Sequence, residues 1–308
     1  MLNVKDLEEV QKIINNEIIS KKGPKTESIP IEKSLNRILA EDIVAPIDVP
    51  SFKKSMYDGY AVKAKDTYNA SEANSVKLEK VGEIRAGQKT GKLNENECME
   101  IATGAPLPEG ANAVLMIENV EESENQIIVR NSVHPSFNTV VKGEDIKKGQ
   151  KILNKGKKLT YKDTGLISSL GIDKLKVFQK PSISVISTGD EVILPGEDLS
   201  NGKIYDINGR TITDALKQMG ARSKFLGVGN DKKEDLKEKI KRNTQNELII
   251  ISGGASVGEK DYTIKVLENL GQILIHGVAV KPGKPLIIAK IGKTPVIGLP
   301  GNPTSRLI

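Results

Sequence analysis

The sequence predicts a multidomain protein that combines α/β and β structure. Its 308 residues exceed the usual size of one hydrophobic core, so two or three domains are expected. Between residues 51 and 145, short β-rich segments alternate with glycine and proline turns, which is typical of a small, mostly β domain. After Pro181, strand-like apolar runs alternate with helical patterns, which predicts a mainly parallel sheet with helices on both faces, in three α/β/α layers.

Two separate segments of the N-terminal half predict an α+β domain. Apolar residues recur at helical spacing from Val4 to Ile18, so the chain opens with an amphipathic helix. A second helix is expected from Tyr161 to Leu170, and Gly171 is suited to end it. We therefore assign residues 1–49 and 146–178 to this domain and residues 50–145 to the small β domain.

Residues 179–308 form the expected α/β domain. Strands are predicted at Ile183–Ile186, Lys224–Val228 and Leu248–Ile251, and a β-hairpin is predicted around Gly292-Lys293-Thr294. Helices are expected around Ile212–Met219, Leu236–Ile240 and Tyr262–Leu270.

Composition narrows the classes of function. No apolar run approaches the ~20 residues that cross a membrane, and charges begin at Lys5, so neither a membrane span nor a signal peptide is expected. The single cysteine, Cys98, fits a reducing compartment, and we expect a cytoplasmic protein. The net charge is +6, but the lysines are scattered among 40 carboxylates and the chain has no tryptophan, so nucleic acid is not an expected partner.

The loop from Ser252 to Gly258 is the most informative segment for chemistry. It contains Gly253, Gly254, Ser256 and Gly258 between a predicted strand and a predicted helix. Glycines let backbone amides face an anion, and a following helix N-terminus favours phosphate, although the same loop also suits a plain strand-to-helix connection. Loops 187–191 and 298–303 follow strands that should be neighbours, so the three loops predict one pocket.

Two further features fit an anionic ligand. In Val280-Lys281-Pro282-Gly283-Lys284-Pro285, prolines stiffen a segment whose lysines either solvate the surface or hold a tetrahedral oxyanion. Asp261, at the start of a predicted helix, is either a helix cap or a Mg²⁺ ligand.

Taken together, these segments resemble the molybdopterin molybdenumtransferase family, which includes MoeA-type proteins and the E domain of gephyrin. The resemblance runs almost from end to end. Its carriers, in chain order, are Pro50-Ser51-Phe52, Ser55 to Ala61 (SMYDGYA), Ala102 to Ala105 (ATGA), Gly143 to Ile146 (GEDI), Ser187 to Glu191 (STGDE), Ser252 to Gly258 with Asp261-Tyr262, Lys281 to Pro285 and Gly298 to Pro303.

This resemblance implies Mg²⁺-dependent insertion of molybdenum from molybdate into adenylylated molybdopterin, with release of AMP. The catalytic residues that it implies are Asp58, Thr103, Asp145, Glu191, Asp231 and Asp261, of which Glu191 and Asp261 would hold the metal. The substrate-binding residues that it implies are Ser252, Gly253, Gly254, Ser256, Gly258, Lys281, Lys284, Pro300 and Pro303.

The resemblance also implies a homodimer with shared active sites and transient contact with the pterin adenylyltransferase. Family members continue past the Gly-Asn-Pro loop into a C-terminal β domain, so we expect this chain to be C-terminally truncated at Ile308. Two rival interpretations remain at this stage. Residues 181–308 also resemble the single-domain enzymes that adenylylate the pterin, and the gephyrin relative suggests a non-enzymatic scaffold.

Overall fold

The computed structural model describes residues 4–19, 23–200, 202–229, 233–253, 262–280 and 284–301. Its α-helices are α1 Leu7–Ile13, α2 Tyr161–Ser169, α3 Asn208–Gln218, α4 Lys233–Arg242 and α5 Tyr262–Leu270, and a π-helix, Ile14–Ile18, follows α1. The strands in the first part of the chain are β1 Thr26–Pro30, β2 Ile43–Val44, β3 Lys54–Ser55, β4 Gly59–Val62, β5 Val76–Ile84, β6 Glu97–Ile101, β7 Ala113–Met116, β8 Val120–Ser123, β9 Gln126–Val129, β10 Thr139–Val140, β11 Lys151–Leu153 and β12 Lys174–Phe178. Those in the second part are β13 Ser182–Thr188, β14 Val192–Ile193, β15 Ile204–Tyr205, β16 Arg222–Gly229, β17 Leu248–Ser252, β18 Gln272–His276, β19 Ile287–Ile291 and β20 Thr294–Leu299. No helix in these ranges is both long enough and apolar enough to cross a membrane.

The chain forms two compact units. One contains residues 28–177, and the other joins residues 1–27 to residues 178–308. We refer to them as the β unit and the α/β unit.

The β unit is built around a six-stranded sheet in the order β7-β4-β6-β5-β9-β8. Every neighbouring pair is antiparallel except β5 and β6. Side chains alternate across β4, so Tyr60 and Val62 enter one apolar cluster whereas Ala61 enters another on the opposite face. Both faces of the central strands are therefore covered.

A separate apolar cluster in the β unit joins residues 29–45 to residues 153–177. Helix α2 lies in this region, and its N-terminus is a capping box in which Thr160 accepts from the Asp163 amide and Asp163 accepts from the Thr160 amide. This core belongs to the same compact unit as the six-stranded sheet, and the predicted division of the chain into three domains stays a prediction.

The α/β unit contains a mixed sheet in the order β16-β13-β17-β20-β19-β18. The first four strands are parallel, and β19 and β18 are antiparallel to their neighbours. The hairpin of β19 and β20 forms where the sequence predicts it. Leu236 and Ile240 of α4 pack with Val266 and Leu267 of α5 in the main apolar cluster of this unit, which also contains Ile287.

The N-terminal helix differs from the prediction in its placement. The predicted α+β domain groups residues 1–49 with residues 146–178, but residues 1–27 belong to the α/β unit. Val10 of α1 packs with Ile275, Val278 and Ile288. An amphipathic pattern shows that one face of a helix is buried, but it does not identify the surface against which that face packs. Here that surface is the antiparallel edge of the mixed sheet.

Candidate functional site

The carboxyl ends of three neighbouring parallel strands bring their loops together in the α/β unit. Strands β13, β17 and β20 are adjacent, and Ser187 pairs with Ser252 while Ser252 pairs with Leu299. The Gly253 amide donates to the Leu299 carbonyl at 3.1 Å. This is the edge at which open α/β sheets bind ligands, and we call it the sheet crest, defined by residues 187–191, 252–253 and 299–301.

Gly253 is required for the close approach of two of these loops. Its φ is +100°, and a Cβ there would lie 2.2 Å from the Thr188 carbonyl oxygen. A Cβ on Gly301 would lie 4.0 Å from the Gly253 Cα, so the third loop lies against the other two. The described residues at the ends of these three strands therefore lie close together, and the predicted pocket stays a prediction.

Two hydroxyl groups at the crest are buried without a partner. Thr188 is 9% exposed and Ser252 is 1% exposed. Among the described residues, Thr188 Oγ1 and Ser252 Oγ are buried side-chain atoms that make no hydrogen bond. A buried hydroxyl normally finds a partner, so two unsatisfied hydroxyls at the ends of adjacent parallel strands are candidate donors to a ligand.

The neighbouring Ser187 is satisfied by a carboxylate that sequence reasoning missed. Its hydroxyl donates to Asp206 Oδ1 at 2.8 Å, and the amides of Asn208 and Gly209 donate to the same carboxylate at 3.0 to 3.2 Å. Asp206 is 7% exposed. It therefore ties the end of β13 to the first turn of α3. Its sequence context, Tyr205-Asp206-Ile207, resembles any turn and carries no signal of this role.

Glu191 is the described carboxylate that the sequence proposed as a metal ligand. It is exposed, and both its oxygens lie 2.9 Å from where a Cβ would sit on Gly189, whose φ of +142° suits glycine. Within the described ranges, no group of three or more His, Cys, Asp or Glu side chains could hold a metal ion. Mg²⁺ commonly takes only one or two protein carboxylates, with phosphate oxygens and water completing its shell, so a single exposed glutamate fits that ion.

Lys284 and Pro300 are the other predicted residues described in the α/β unit. Lys284 is exposed, and its carbonyl accepts from the Val278 amide at 2.9 Å. Pro300 is buried and follows β20 directly. The remaining predicted residues lie outside the described ranges: Asp231, Gly254, Ser256, Gly258, Asp261, Lys281 and Pro303.

In the β unit, the structure pairs Asp58 with Thr103. The Thr103 amide donates to Asp58 Oδ1 at 2.7 Å and the Thr103 hydroxyl donates to the same oxygen at 3.0 Å. The backbone bond and then the side-chain bond lower the pKa of the exposed Asp58 carboxyl from its ordinary value. Asp58 is thus held ionised and oriented. Asp145 is also exposed, and its amide donates to the Val49 carbonyl at 3.0 Å.

A small cavity of about 110 Å³ lies beside Asp58. Its lining includes Glu83, Arg85 and Glu100, none of which the sequence analysis selected. The guanidinium of Arg85 lies 3.5 Å from the Glu83 carboxylate, and Glu100 is paired with Lys80 at 2.7 Å. These charged groups lie on β5, on β6 and in the turn after β5. They come close to Asp58 only because these strands are neighbours in the folded sheet.

The fold is that of a multidomain α/β protein, and its strand-end loops meet at the edge where such sheets bind ligands. Comparisons with known families are more specific. Residues 5–171 match the MoeA N-terminal region (domain I and II), and residues 184–307 match the probable molybdopterin binding domain. The chain therefore belongs to the molybdopterin molybdenumtransferase family, whose members are enzymes of molybdenum cofactor biosynthesis.

Individual relatives agree with this assignment. The chain is 38% identical to the molybdopterin molybdenumtransferase of Haemophilus influenzae, over 92% of this chain and 70% of that protein. It is 37% identical to a putative molybdopterin biosynthesis protein of Methanocaldococcus jannaschii, over 99% of this chain and 78% of that protein. Among solved structures, a molybdopterin biosynthesis MoeA protein of Pyrococcus horikoshii matches with a TM-score of 0.90 and 45% identity, covering 99% of this chain and 76% of that chain.

Proposed function

We propose that this chain catalyses the Mg²⁺-dependent insertion of molybdenum from molybdate into adenylylated molybdopterin, with release of AMP. The observation that supports this most directly is the sheet crest, where the ends of three strands lie close together and two buried hydroxyls make no hydrogen bond with any described residue. A substrate with phosphate and pterin oxygens supplies the acceptors that such hydroxyls need.

In this proposal the crest binds the phosphate and pterin end of the substrate. Thr188 and Ser252 would donate their hydroxyl hydrogens, and the closely packed backbone at Gly253 would keep both side chains at fixed positions. The other residues assigned to this subsite by family resemblance are Gly254, Ser256, Gly258, Pro300 and Pro303.

Cationic side chains would hold molybdate, which is doubly negative. Lys281 and Lys284 are assigned to this role because an ammonium group offsets oxyanion charge and donates hydrogen bonds to oxygen. The exposure of Lys284 leaves its ammonium accessible to a small anion.

Carboxylates would complete the catalytic set. Glu191 and Asp261 would hold Mg²⁺, which when bound offsets the negative charge of the phosphoanhydride. Asp58 would contribute a fixed negative charge, since Thr103 keeps it ionised and oriented. Asp145 and Asp231 are assigned to the same set by family resemblance alone.

We further propose a homodimer with shared active sites and a transient contact with the pterin adenylyltransferase. Sedimentation of the chain, alone and mixed with that enzyme, tests both associations. Subunit exchange between two inactive variants, Asp58→Asn and Glu191→Gln, tests the sharing of sites, because a mixed dimer of shared sites regains one intact site whereas self-contained sites each keep a lesion.

Product analysis tests the reaction. Adenylylated molybdopterin is incubated with the chain, and AMP release is followed with and without molybdate and Mg²⁺. We expect release to need both ions and to require a higher molybdate concentration in Lys284→Ala, with Lys293→Ala as the matched control in a hairpin turn of the same unit. Consumption of ATP with the unadenylylated pterin, giving adenylylated pterin and pyrophosphate, would instead indicate an adenylyltransferase. Binding without any turnover would indicate a scaffold.

A further inference from the structure

The N-terminal segment is hydrogen-bonded to the backbone that leads into the lysine segment. The Lys5 amide donates to the Gly277 carbonyl at 3.1 Å, and the Ala279 amide donates to the Lys5 carbonyl at 2.8 Å. Lys5 and Val278 form a parallel bridge. Residues 277–279 are therefore held on one side by the start of the chain.

The other side of residues 277–279 is held by the backbone of residues 284–286, at the end of the lysine segment. The Gly277 amide donates to the Leu286 carbonyl at 2.8 Å, and the Val278 amide donates to the Lys284 carbonyl at 2.9 Å. The three residues thus lie between Lys5 and residues 284–286. Lys284, whose ammonium is proposed to hold molybdate, is thus hydrogen-bonded through its backbone carbonyl to the middle of this segment.

Apolar side chains also pack between the N-terminal segment and residues 277–279. Val10 is 5% exposed and Val278 is 3% exposed, and the two belong to one cluster with Ile275 and Ile288. Helix α1, which carries Val10, is capped by Asp6, whose carboxylate accepts from the Glu9 amide at 2.7 Å. We call residues 4–19, with their contacts to residues 277–279, the N-terminal clamp.

We propose that the N-terminal clamp is a positioning element for molybdate binding, acting through the backbone of Lys284. The proposal rests on the proposed function, in which Lys284 contacts the oxyanion. A lysine side chain is flexible, so its affinity for a small anion depends on how firmly its own backbone is fixed. Loosening the clamp leaves the ammonium in the protein but spreads it over more positions, which weakens molybdate binding and leaves the sheet crest intact.

Substitution at Lys5 isolates the backbone contact. Lys5→Pro removes the amide that donates to Gly277, whereas Lys5→Ala keeps the amide, and both variants lose the ion pair with Glu9. We expect Lys5→Pro to raise the KM for molybdate about fivefold relative to Lys5→Ala, as the loss of one hydrogen bond of about 1 kcal/mol would do. The kcat and the KM for adenylylated molybdopterin should stay the same, and the Ala279 amide should exchange with solvent faster.

Substitution within α1 tests the apolar contact independently. Val10→Ala removes buried methyl groups that pack on Val278, whereas Leu7→Ala alters a side chain of the same helix that is 61% exposed. The molybdate KM should rise in Val10→Ala and stay unchanged in Leu7→Ala. Calorimetric titration with molybdate alone should show the same order of affinities.

Two outcomes would overturn the inference, and they differ in what they leave standing. If amide exchange speeds up in Lys5→Pro and Val10→Ala while the molybdate KM does not move, and Lys284→Ala still raises it, the clamp is structural only and the proposed function survives. If Lys284→Ala itself leaves molybdate dependence unchanged, the lysine assignment in the proposed function fails and the positioning role fails with it.

Discussion

The sheet crest and the Asp58 loop satisfy their polar groups in opposite ways. At the crest, Thr188 and Ser252 are buried and their hydroxyls make no hydrogen bond within the described part of the chain. At the Asp58 loop, the carboxylate is exposed and already accepts two hydrogen bonds from Thr103. The crest hydroxyls thus keep their hydrogen-bonding capacity, whereas the Asp58 carboxylate is already hydrogen-bonded and presents a fixed charge.

The two regions therefore differ in the energetic cost of their polar groups. A buried hydroxyl without a partner costs folding free energy, about 1 to 3 kcal/mol, and a ligand that accepts its hydrogen bond offsets that cost. An exposed, oriented carboxylate costs little and acts through its charge. We therefore expect loss of a crest hydroxyl to weaken substrate binding without lowering folding stability, and substitutions at the Asp58 loop to change the pH dependence of the reaction.

The largest expected effect is at Gly253. Gly253→Ala puts a Cβ 2.2 Å from the Thr188 carbonyl oxygen, so the crest must open and activity should fall to background. Thermal unfolding should show a loss of about 1 to 3 kcal/mol from overpacking, beyond the strain of a positive φ. Gly292→Ala is the matched control, because its φ is also positive at +58° but a Cβ there meets nothing within 4 Å.

Asp206→Ala should destabilise the α/β unit by roughly 3 kcal/mol, because the buried donors at Ser187 and Gly209 lose their acceptor. Asp206→Asn keeps an acceptor oxygen and should lose less. Chemical denaturation of the two variants measures the difference. Equal, small losses in both would mean that Asp206 does not hold β13 against α3.

A smaller effect is expected in the pH dependence controlled by Asp58. The Thr103 hydrogen bonds lower the pKa of Asp58, so the carboxylate keeps its charge as the pH falls until that lowered pKa is reached. Thr103→Val removes the hydroxyl donor and keeps the amide, so the pKa of Asp58 should rise and activity should be lost at a higher pH on the acidic side. Thr103→Ser retains both donors and should reproduce the original profile. If the acidic side of the pH–activity profile does not move in Thr103→Val, the ionisation of Asp58 does not control the reaction rate.

Local sequence patterns predicted most of the α/β unit. Tyr262–Leu270 forms a helix with the predicted bounds, and the strands around Ile183 and Leu248 are present with slightly greater length. These elements are readable because their apolar spacing reflects burial on a sheet. The convergence of the crest loops was also predictable, since parallel strands end at the same edge.

Features set by tertiary contacts were not predictable in this way. Asp206 is hidden in an ordinary turn sequence, and its role depends on the approach of Ser187 from another strand. The Thr188 hydroxyl makes no hydrogen bond with the described residues because of how the neighbouring strands pack around it, and this packing cannot be read from the local sequence. The N-terminal helix was recognised from its spacing but assigned to the wrong neighbours, because periodicity does not identify the surface that covers a helix.

The most direct test of the account measures stability and binding on the same variants of the crest. Thr188→Val and Ser252→Ala remove hydroxyls that make no hydrogen bond with the described residues, so each should leave unfolding stability unchanged or raise it by up to about 1 kcal/mol. Each should weaken the binding of adenylylated molybdopterin about tenfold, which corresponds to about 1.4 kcal/mol. Ser187→Ala, which removes the hydroxyl bonded to Asp206, should instead lower stability. A loss of stability with unchanged binding in Thr188→Val and Ser252→Ala would contradict the assignment of the crest as the substrate site.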